Sequence, residues 1–290
     1  MNRHVGQPVH ARSAMRAASL EGKSIVVTGG GTGIGAACAQ LLAAEGAAVT
    51  ICGRTEERLV DVATGIRSSG GTVQHVVADV TDESDVERLM QTALELTGSL
   101  QGVVANAGGG SAPAPLHLQD AATYLDVLRL NVLGTMLCVK HSVPHLARAG
   151  GGSFVGMSSI AGYVTHLWFG AYTAAKAGIE ELMRNAADEY GPVGVRFNSI
   201  RPGFIATEVM AGVRPGTPVW DSYITQTPMG GVGEPVDVAQ LARFLLSDES
   251  RWITGVAIAV DGGHGLRRGP DFTAVVEARF GADALTPGRG

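Results

Sequence analysis

Cysteine is scarce in this chain. Three of 290 residues, Cys38, Cys52 and Cys138, sit inside apolar helix or strand patterns without paired spacing. That excludes a disulfide scaffold, a cysteine metal site and a redox couple, and leaves reduced structural thiols in a cytoplasmic protein as the expectation. Runs of Lys and Arg are missing too, and the formal net charge is -5. Without a basic surface, nucleic acid is not an expected partner. No apolar run approaches the ~20 residues that span a bilayer. The opening segment, MNRHVGQPVHARSAMRAASL, lacks the continuous apolar core of an export signal, so neither a membrane partner nor secretion is expected. No fixed period recurs, which excludes a repeat architecture. His166 has no second ligand at useful spacing, so no metal is expected.

What remains is an ordinary globular composition, 45% hydrophobic and 17% charged, with ample material for a core. From Ser24 onward, short β-branched runs alternate with longer amphipathic stretches. The strand patterns fall at 24–28, 48–52, 73–77, 102–106, 153–157, 195–200 and 256–260. Helical spacing fills the gaps at 34–46, 56–69, 85–98, 121–147, 171–190 and 236–248. This alternation predicts one α/β domain, a doubly wound seven-stranded parallel sheet with helices on both faces, over residues 21–265. Residues 1–20 read as an arm, disordered or making a subunit contact, with a presequence as a further reading. Four prolines interrupt 207–235, which reads as a substrate loop or lid with flexible points at Gly212 and Gly216. Residues 266–290 form a polar tail with one weak helical stretch.

Two patterns carry chemistry. After the first strand comes TGGGTGIG, whose glycines would let backbone N–H groups and a helix N-terminus approach a pyrophosphate. In AYTAAKAGIEELM, Tyr172 and Lys176 are four residues apart on one helix face. A free phenol titrates near 10, so acid–base work near neutrality requires a shift of roughly three units, or about 4 kcal/mol. An ammonium ~5 Å away at an effective dielectric of ~20 supplies roughly 3 kcal/mol in that direction. The spacing alone equally suits a packed ring beside a solvated charge.

Gly29, Gly33 and Gly35, then ANAG at 105–108, Asn131, the serine pair 158–159, Tyr172 with Lys176, and RPG at 201–203 with Thr207 occur in an order that resembles the short-chain dehydrogenase/reductase family over about residues 24–263. The resemblance implies a Rossmann-type domain and an NAD(P)-dependent oxidoreductase that interconverts a ketone and a secondary alcohol. It makes Tyr172 the general acid/base, Lys176 the group that lowers its pKa and holds the nicotinamide ribose, Ser159 the anchor of the substrate oxygen, and Asn131 a support for a water-linked proton path. Ser158 competes with Ser159 for that anchor.

By the same resemblance, cofactor contacts fall on the turn residues Gly29, Gly31, Thr32, Gly33, Ile34 and Gly35, on Asp79 and Val80, and on Asn106, Ala107 and Gly108. Pro202, Gly203, Ile205 and Thr207 complete the set, with Tyr172 and Lys176. Asp79 would meet adenine, or serve only as a turn cap. At the end of the second strand stand Gly53 and Arg54. The guanidinium suits a 2'-phosphate and no carboxylate opposes it there, so NADP is expected with NAD possible. Arg54 as a solvated turn residue is the competing reading, and Glu56 and Glu57 would repel a phosphate. His166, Trp168, Phe169, Met210, Trp220, Tyr223 and Met229 are candidates for an apolar pocket around a small carbonyl or alcohol substrate. Family habit implies a homotetramer. A catalytically silent NAD(P)-binding sensor or scaffold is the alternative, and a methyltransferase on a similar sheet would leave Tyr172, Lys176 and Ser159 without a role.

Overall fold

The computed structural model describes residues 20–210 and 212–286, so most of the expected arm, and residues 287–290 of the tail, lie outside the described residues. All seven expected strands form: β1 Ser24–Thr28, β2 Ala48–Gly53, β3 Thr72–Val77, β4 Gly102–Ala105, β5 Gly152–Met157, β6 Val195–Pro202 and β7 Ala257–Val260. They pair in parallel in the order β3-β2-β1-β4-β5-β6-β7. Every residue of β1 and β4 is buried, which is why they read as continuous apolar runs with no polar alternation.

Helices α1 (Gly33–Ala44), α2 (Glu56–Ser68) and α8 (Pro235–Leu246) pack on one face of the sheet through Leu42, Leu59 and Leu245. Helices α3 (Glu83–Thr97), α5 (Gly134–Arg148) and α6 (Gly170–Tyr190) cover the other face through Leu89, Leu146 and Ile179, with Phe154 and Phe197 stacked 5.3 Å apart beneath them. Each buried Phe contributes on the order of 2–3 kcal/mol of transfer free energy.

The long helical stretch expected at 121–147 is broken. Helix α4 (Ala121–Leu128) passes through a π turn at Arg129–Leu133 before α5 begins. The turn carries Asn131, whose carbonyl accepts from the Gly134 N–H and from Thr135 Oγ1 at 2.7 Å, so the hydroxyl reinforces the turn. The combined run Ala121–Arg148 is long and apolar enough to cross a membrane by length and composition, a run not apparent when only uninterrupted apolar residues are counted. Here α3 and α6 pack against it.

Chain order reverses between β1 and β4, where connections leave the sheet in opposite directions and open a crevice at the carboxyl edge. Residues 207–235 emerge beside this crevice, carry α7 (Pro218–Gln226), and are pinched at the neck by bonds from Ala206 N–H to Gly233 O and from Gly233 N–H to Phe204 O. Beyond β7 the chain forms α9 (Thr273–Phe280), which places the weak helical stretch of the tail on the substrate side of the fold.

Candidate active site

The turn from β1 into α1 is built by glycine necessity. Gly29 takes φ 64° and Gly33 φ 50°, conformations that L side chains resist. A Cβ at Gly35 would run into the Gly29 carbonyl and lie 2.6 Å from Asn106 Nδ2. Thr32 holds the N-cap position without a side-chain capping bond, which leaves the first-turn N–H groups of α1 to an anion. Thr207 closes over this turn, with its Cγ2 3.1 Å from where a Gly33 Cβ would stand. A crevice of about 210 Å³ continues past Gly31, Gly53, Arg54, Asp79, Val80, Ala107 and Gly108. Glycine walls, an uncapped helix N-terminus and a cationic far end fit a dinucleotide.

Arg58 lines that crevice together with Arg54, whereas Glu56 and Glu57 do not. Sequence reasoning passed over Arg58. Its position in the first turn of α2 brings it back over the glycine turn, where a Cβ at Gly31 would sit 3.3 Å from Arg58 Cβ. Asp79 takes the turn-cap role. Its Oδ1 accepts from the Thr81 N–H at 2.9 Å and the Thr81 hydroxyl at 2.8 Å, and the residue still borders the crevice. Asn106 stands behind the turn rather than in it. Its Nδ2 donates to the Thr28 and Gly29 carbonyls at 3.0 and 3.3 Å, so its side chain shapes the turn. Ile205 is buried in the core, and Gly203 is pressed so close to Asp261 that a Cβ would lie 2.7 Å from the Asp261 Cα.

Next along the carboxyl edge, Asn131, Ser159, Tyr172 and Lys176 come together. Asn131 is fully buried; its Nδ2 donates to the Gly109 carbonyl at 2.7 Å and its Oδ1 accepts from the Gly109 N–H at 3.3 Å. A Cβ at Gly108 would lie 2.6 Å from Asn131 Oδ1 and 3.1 Å from Lys176 Nζ, so glycine leaves these two polar atoms a shared space. Lys176 Nζ donates to the Met157 carbonyl at 2.8 Å and lies 5.5 Å from the centroid of the Tyr172 ring.

The electrostatic balance differs from the expected one. Burial pushes the Tyr172 phenol up from its ordinary value, and the Ser159 hydroxyl bonded to it pulls only part of the way back. Burial also pulls Lys176 down to about 8. Desolvation, which disfavours every charged form, is the leading cause for both groups in this corner. The phenol is protonated at neutral pH, which is the form that donates to a carbonyl oxygen.

The two serines separate cleanly. Ser158 is turned into the protein, donating to Glu180 Oε1 at 2.8 Å or to the Lys176 carbonyl at 3.0 Å, while Ser159 meets Tyr172 and accepts from the Ala161 N–H at 3.1 Å. Glu180, nearly fully buried one turn beyond Lys176, also pairs with Arg201 through contacts of 2.7 and 2.5 Å. Arg201 in turn lies 4.8 Å over the Tyr163 ring. This network ties α6, the end of β5 and the end of β6 together behind the site, and neither Glu180 nor Arg201 was singled out by its own chemistry in the sequence. Of the expected pocket residues, Tyr223 is buried against Phe204, with Met210 and Trp220 packed around them, but Met229 is 85% exposed and stands apart.

A family model described as enoyl-(acyl carrier protein) reductase matches residues 29–265. The chain is 42% identical over 239 residues to cis-4-hydroxycyclohexanecarboxylate dehydrogenase of Sinomonas cyclohexanicum, covering 82% of this chain and 95% of the relative. It is 35% identical over 244 residues to a 2,5-dichloro-2,5-cyclohexadiene-1,4-diol dehydrogenase of Sphingobium indicum, with 84% and 96% covered. Among solved structures, a short-chain type dehydrogenase/reductase from Mycobacterium ulcerans superposes with TM-score 0.90 at 43% identity, over 92% of this chain and 98% of that one. The protein belongs to the short-chain dehydrogenase/reductase family. It is an NAD(P)-dependent oxidoreductase that interconverts alcohol and ketone groups.

Proposed function

We propose that the protein carries out NADPH-driven reduction of a ketone on a compact alicyclic ring, a narrower class than the 3-oxoacyl thioesters, steroids and other ketones that an apolar pocket would suit. The observation that carries the proposal is the meeting of Tyr172, the group that would exchange the proton, with Ser159 and with the Lys176 ammonium 5.5 Å from its ring centroid. NADPH, when bound, supplies the hydride. Ser159 and Tyr172 hold the carbonyl oxygen, and the Tyr172 hydroxyl donates its proton there. Lys176, fixed by Met157, holds the ribose and stabilises the phenolate left behind. Gly108 and Asn131 keep open the space through which a water would return a proton to Lys176. Two guanidiniums at the adenosine end support NADPH over NADH. The ring class draws support from the two named relatives, both of which act on oxygenated six-membered rings.

The decisive test is a panel of ring ketones and alcohols with NADPH and NADH, followed by Tyr172→Phe on each active pair. A loss of about 10²–10⁴ in kcat is expected for removal of the acid. Retained rates would remove Tyr172 from the chemistry.

A homotetramer in the cytoplasm completes the proposal. Leu125 on α4 is 55% exposed and Trp252, just before β7, is 93% exposed. Exposed apolar side chains such as these two are candidate contact points between subunits. Light scattering of the purified protein reads the assembly state, and a monomer would count against it.

A further inference from the structure

Among the described residues, Trp168 is the one non-glycine residue in the left-handed region, with φ 75°. A bulky side chain there is strained and persists only when its surroundings hold it. Three contacts do so. Its carbonyl accepts from the Ala114 N–H at 2.9 Å and from Gln119 Nε2 at 3.5 Å, and its indole Nε1 donates to Thr273 Oγ1 at 3.3 Å. The last partner belongs to α9, beyond the final strand. The residue after Trp168 is Phe169, which precedes α6 and lies three positions before Tyr172.

Phe272, at the start of α9, joins the segment that leads into α6 to helix α7. Its ring meets Phe169 edge-on at 4.8 Å and Tyr223 of α7 edge-on at 6.4 Å. A bond from the Asp271 N–H to Ser222 Oγ at 2.9 Å anchors the same segment to α7. Tyr223 lies close enough to Tyr172 to sense it: burial first, and then the neighbouring Tyr172 phenol, hold its own phenol up. His264 lies edge-on to Tyr223 at 5.6 Å and stacks with His166 at 6.5 Å.

We propose that the segment after β7 is a wall of the substrate chamber, in which Phe272 sets the size limit and Thr273 latches Trp168, so that the site selects compact uncharged rings. The inference rests on the ketone reading given above. Its charge selectivity follows from the side chains that form the wall. Phe169, Tyr223 and Phe272 are uncharged, burial draws His166 down to about 4, and burial lowers His264 as well. A carboxylate on the ring would meet no cation among them, in contrast to the acid named for the Sinomonas relative.

The test compares cyclohexanone, a bicyclic decalone, and cyclohexanone bearing a carboxylate opposite its carbonyl. Each is measured for turnover with NADPH, and by calorimetry for binding to the NADP-loaded protein. The wild type is expected to favour cyclohexanone over the other two by about tenfold or more. Phe272→Ala should bring the decalone ratio to near one or invert it, and Phe272→Leu, which keeps more of the packing, should move it part of the way. Thr273→Val should move it in the same direction. NADPH affinity, read by fluorescence titration, should stay within about twofold in all three variants, since none touches the dinucleotide crevice. An unchanged ketone ratio in Phe272→Leu and Thr273→Val overturns the wall, as does a wild type that prefers the carboxylate or binds none of the three. Binding ratios that shift as stated without any turnover would uphold the wall and sink the ketone-reduction reading instead.

Discussion

Lys176 reaches back from α6 to the Met157 carbonyl, 2.8 Å away at the end of β5, and this bond fixes an ammonium in a place where water cannot solvate it. Its pKa falls to about 8 while the Tyr172 phenol is pushed up. Both groups are therefore protonated at neutral pH. With NADPH saturating, kcat/KM for ketone reduction should be flat below pH 8 and fall as pH rises through about 8, where Lys176 loses its charge. Alcohol oxidation requires the phenolate, so it should climb over the same range. A reduction profile that stays flat to pH 10 would remove Lys176 as the titrating group.

The same burial has a signed effect on stability. The unfolded chain keeps the lysine proton to near 10.5, the folded chain releases it at about 8, and so between these values the unfolded state binds more protons. The slope is then positive, and this group's penalty, about 3 kcal/mol below pH 8, is relieved as pH rises toward 10. Lys176→Met should be inactive yet more stable than wild type at pH 7 by about 2 kcal/mol, after allowing about 1 kcal/mol for the lost bond to Met157. Its advantage should shrink from pH 8 to 10 in denaturant titrations. A pH-independent difference would mean that the lysine is not desolvated as the geometry indicates.

The adjacent serines offer a contrast inside one dipeptide. Ser159 meets the catalytic phenol, so Ser159→Ala should lower kcat/KM by about 10² or more. Ser158 bonds to Glu180 at 2.8 Å on the far side, so Ser158→Ala should cost about 1 kcal/mol of stability and little rate. Glu180→Gln leaves the Arg201 guanidinium without its buried counter-charge and should cost about 3–5 kcal/mol in urea unfolding. Similar rate losses in the two serine variants would contradict the separation of their roles.

At the other end of the crevice, Arg54→Ala and Arg58→Ala should each raise KM for NADPH by about tenfold and leave KM for NADH within about twofold. The double variant should come close to equal use of the two cofactors. If Arg58→Ala changes neither constant, its guanidinium serves only to cover the glycine turn.

Much of this arrangement was legible before any coordinates. The seven strands declare themselves because parallel strands buried on both faces are rich in β-branched residues, as SIVVT and AVTIC are. Tyr172, Lys176 and the glycine turn follow from local spacing. What escaped was set by contacts distant in sequence. Glu180 and Arg201 are 21 residues apart and meet only because α6 lies over β6. Thr273 finds Trp168 across 105 residues. The tail reads as polar because α9 buries only Val276 among its own residues, while Phe272 at its start is committed to the aromatic cluster around Phe204. The sign of the Tyr172 shift was missed for a related reason, since helical spacing reveals the neighbouring charge but not the depth of burial that opposes it.

Two neighbouring glycines put the proton path itself to a test. At Gly108 a Cβ would lie 2.6 Å from Asn131 Oδ1 and 3.1 Å from Lys176 Nζ, tighter than either polar atom can accept without moving. At Gly109 the nearest atom to a Cβ is Leu130 Cδ2 at 3.6 Å, an ordinary contact. Neither position has the positive φ that would strain an alanine. Gly108→Ala should therefore fill the space between the amide and the ammonium and lower kcat by about 10² through misplacement of the catalytic lysine. Gly109→Ala changes the backbone entropy equally and leaves that space open, so its kcat should stay within about threefold of wild type. Steady-state kinetics on the pair, with thermal unfolding to check that both fold, decides the matter. If the two alanines behave alike, the space between Asn131 and Lys176 is packing, and the proton that Tyr172 gives to the carbonyl is replaced by another route.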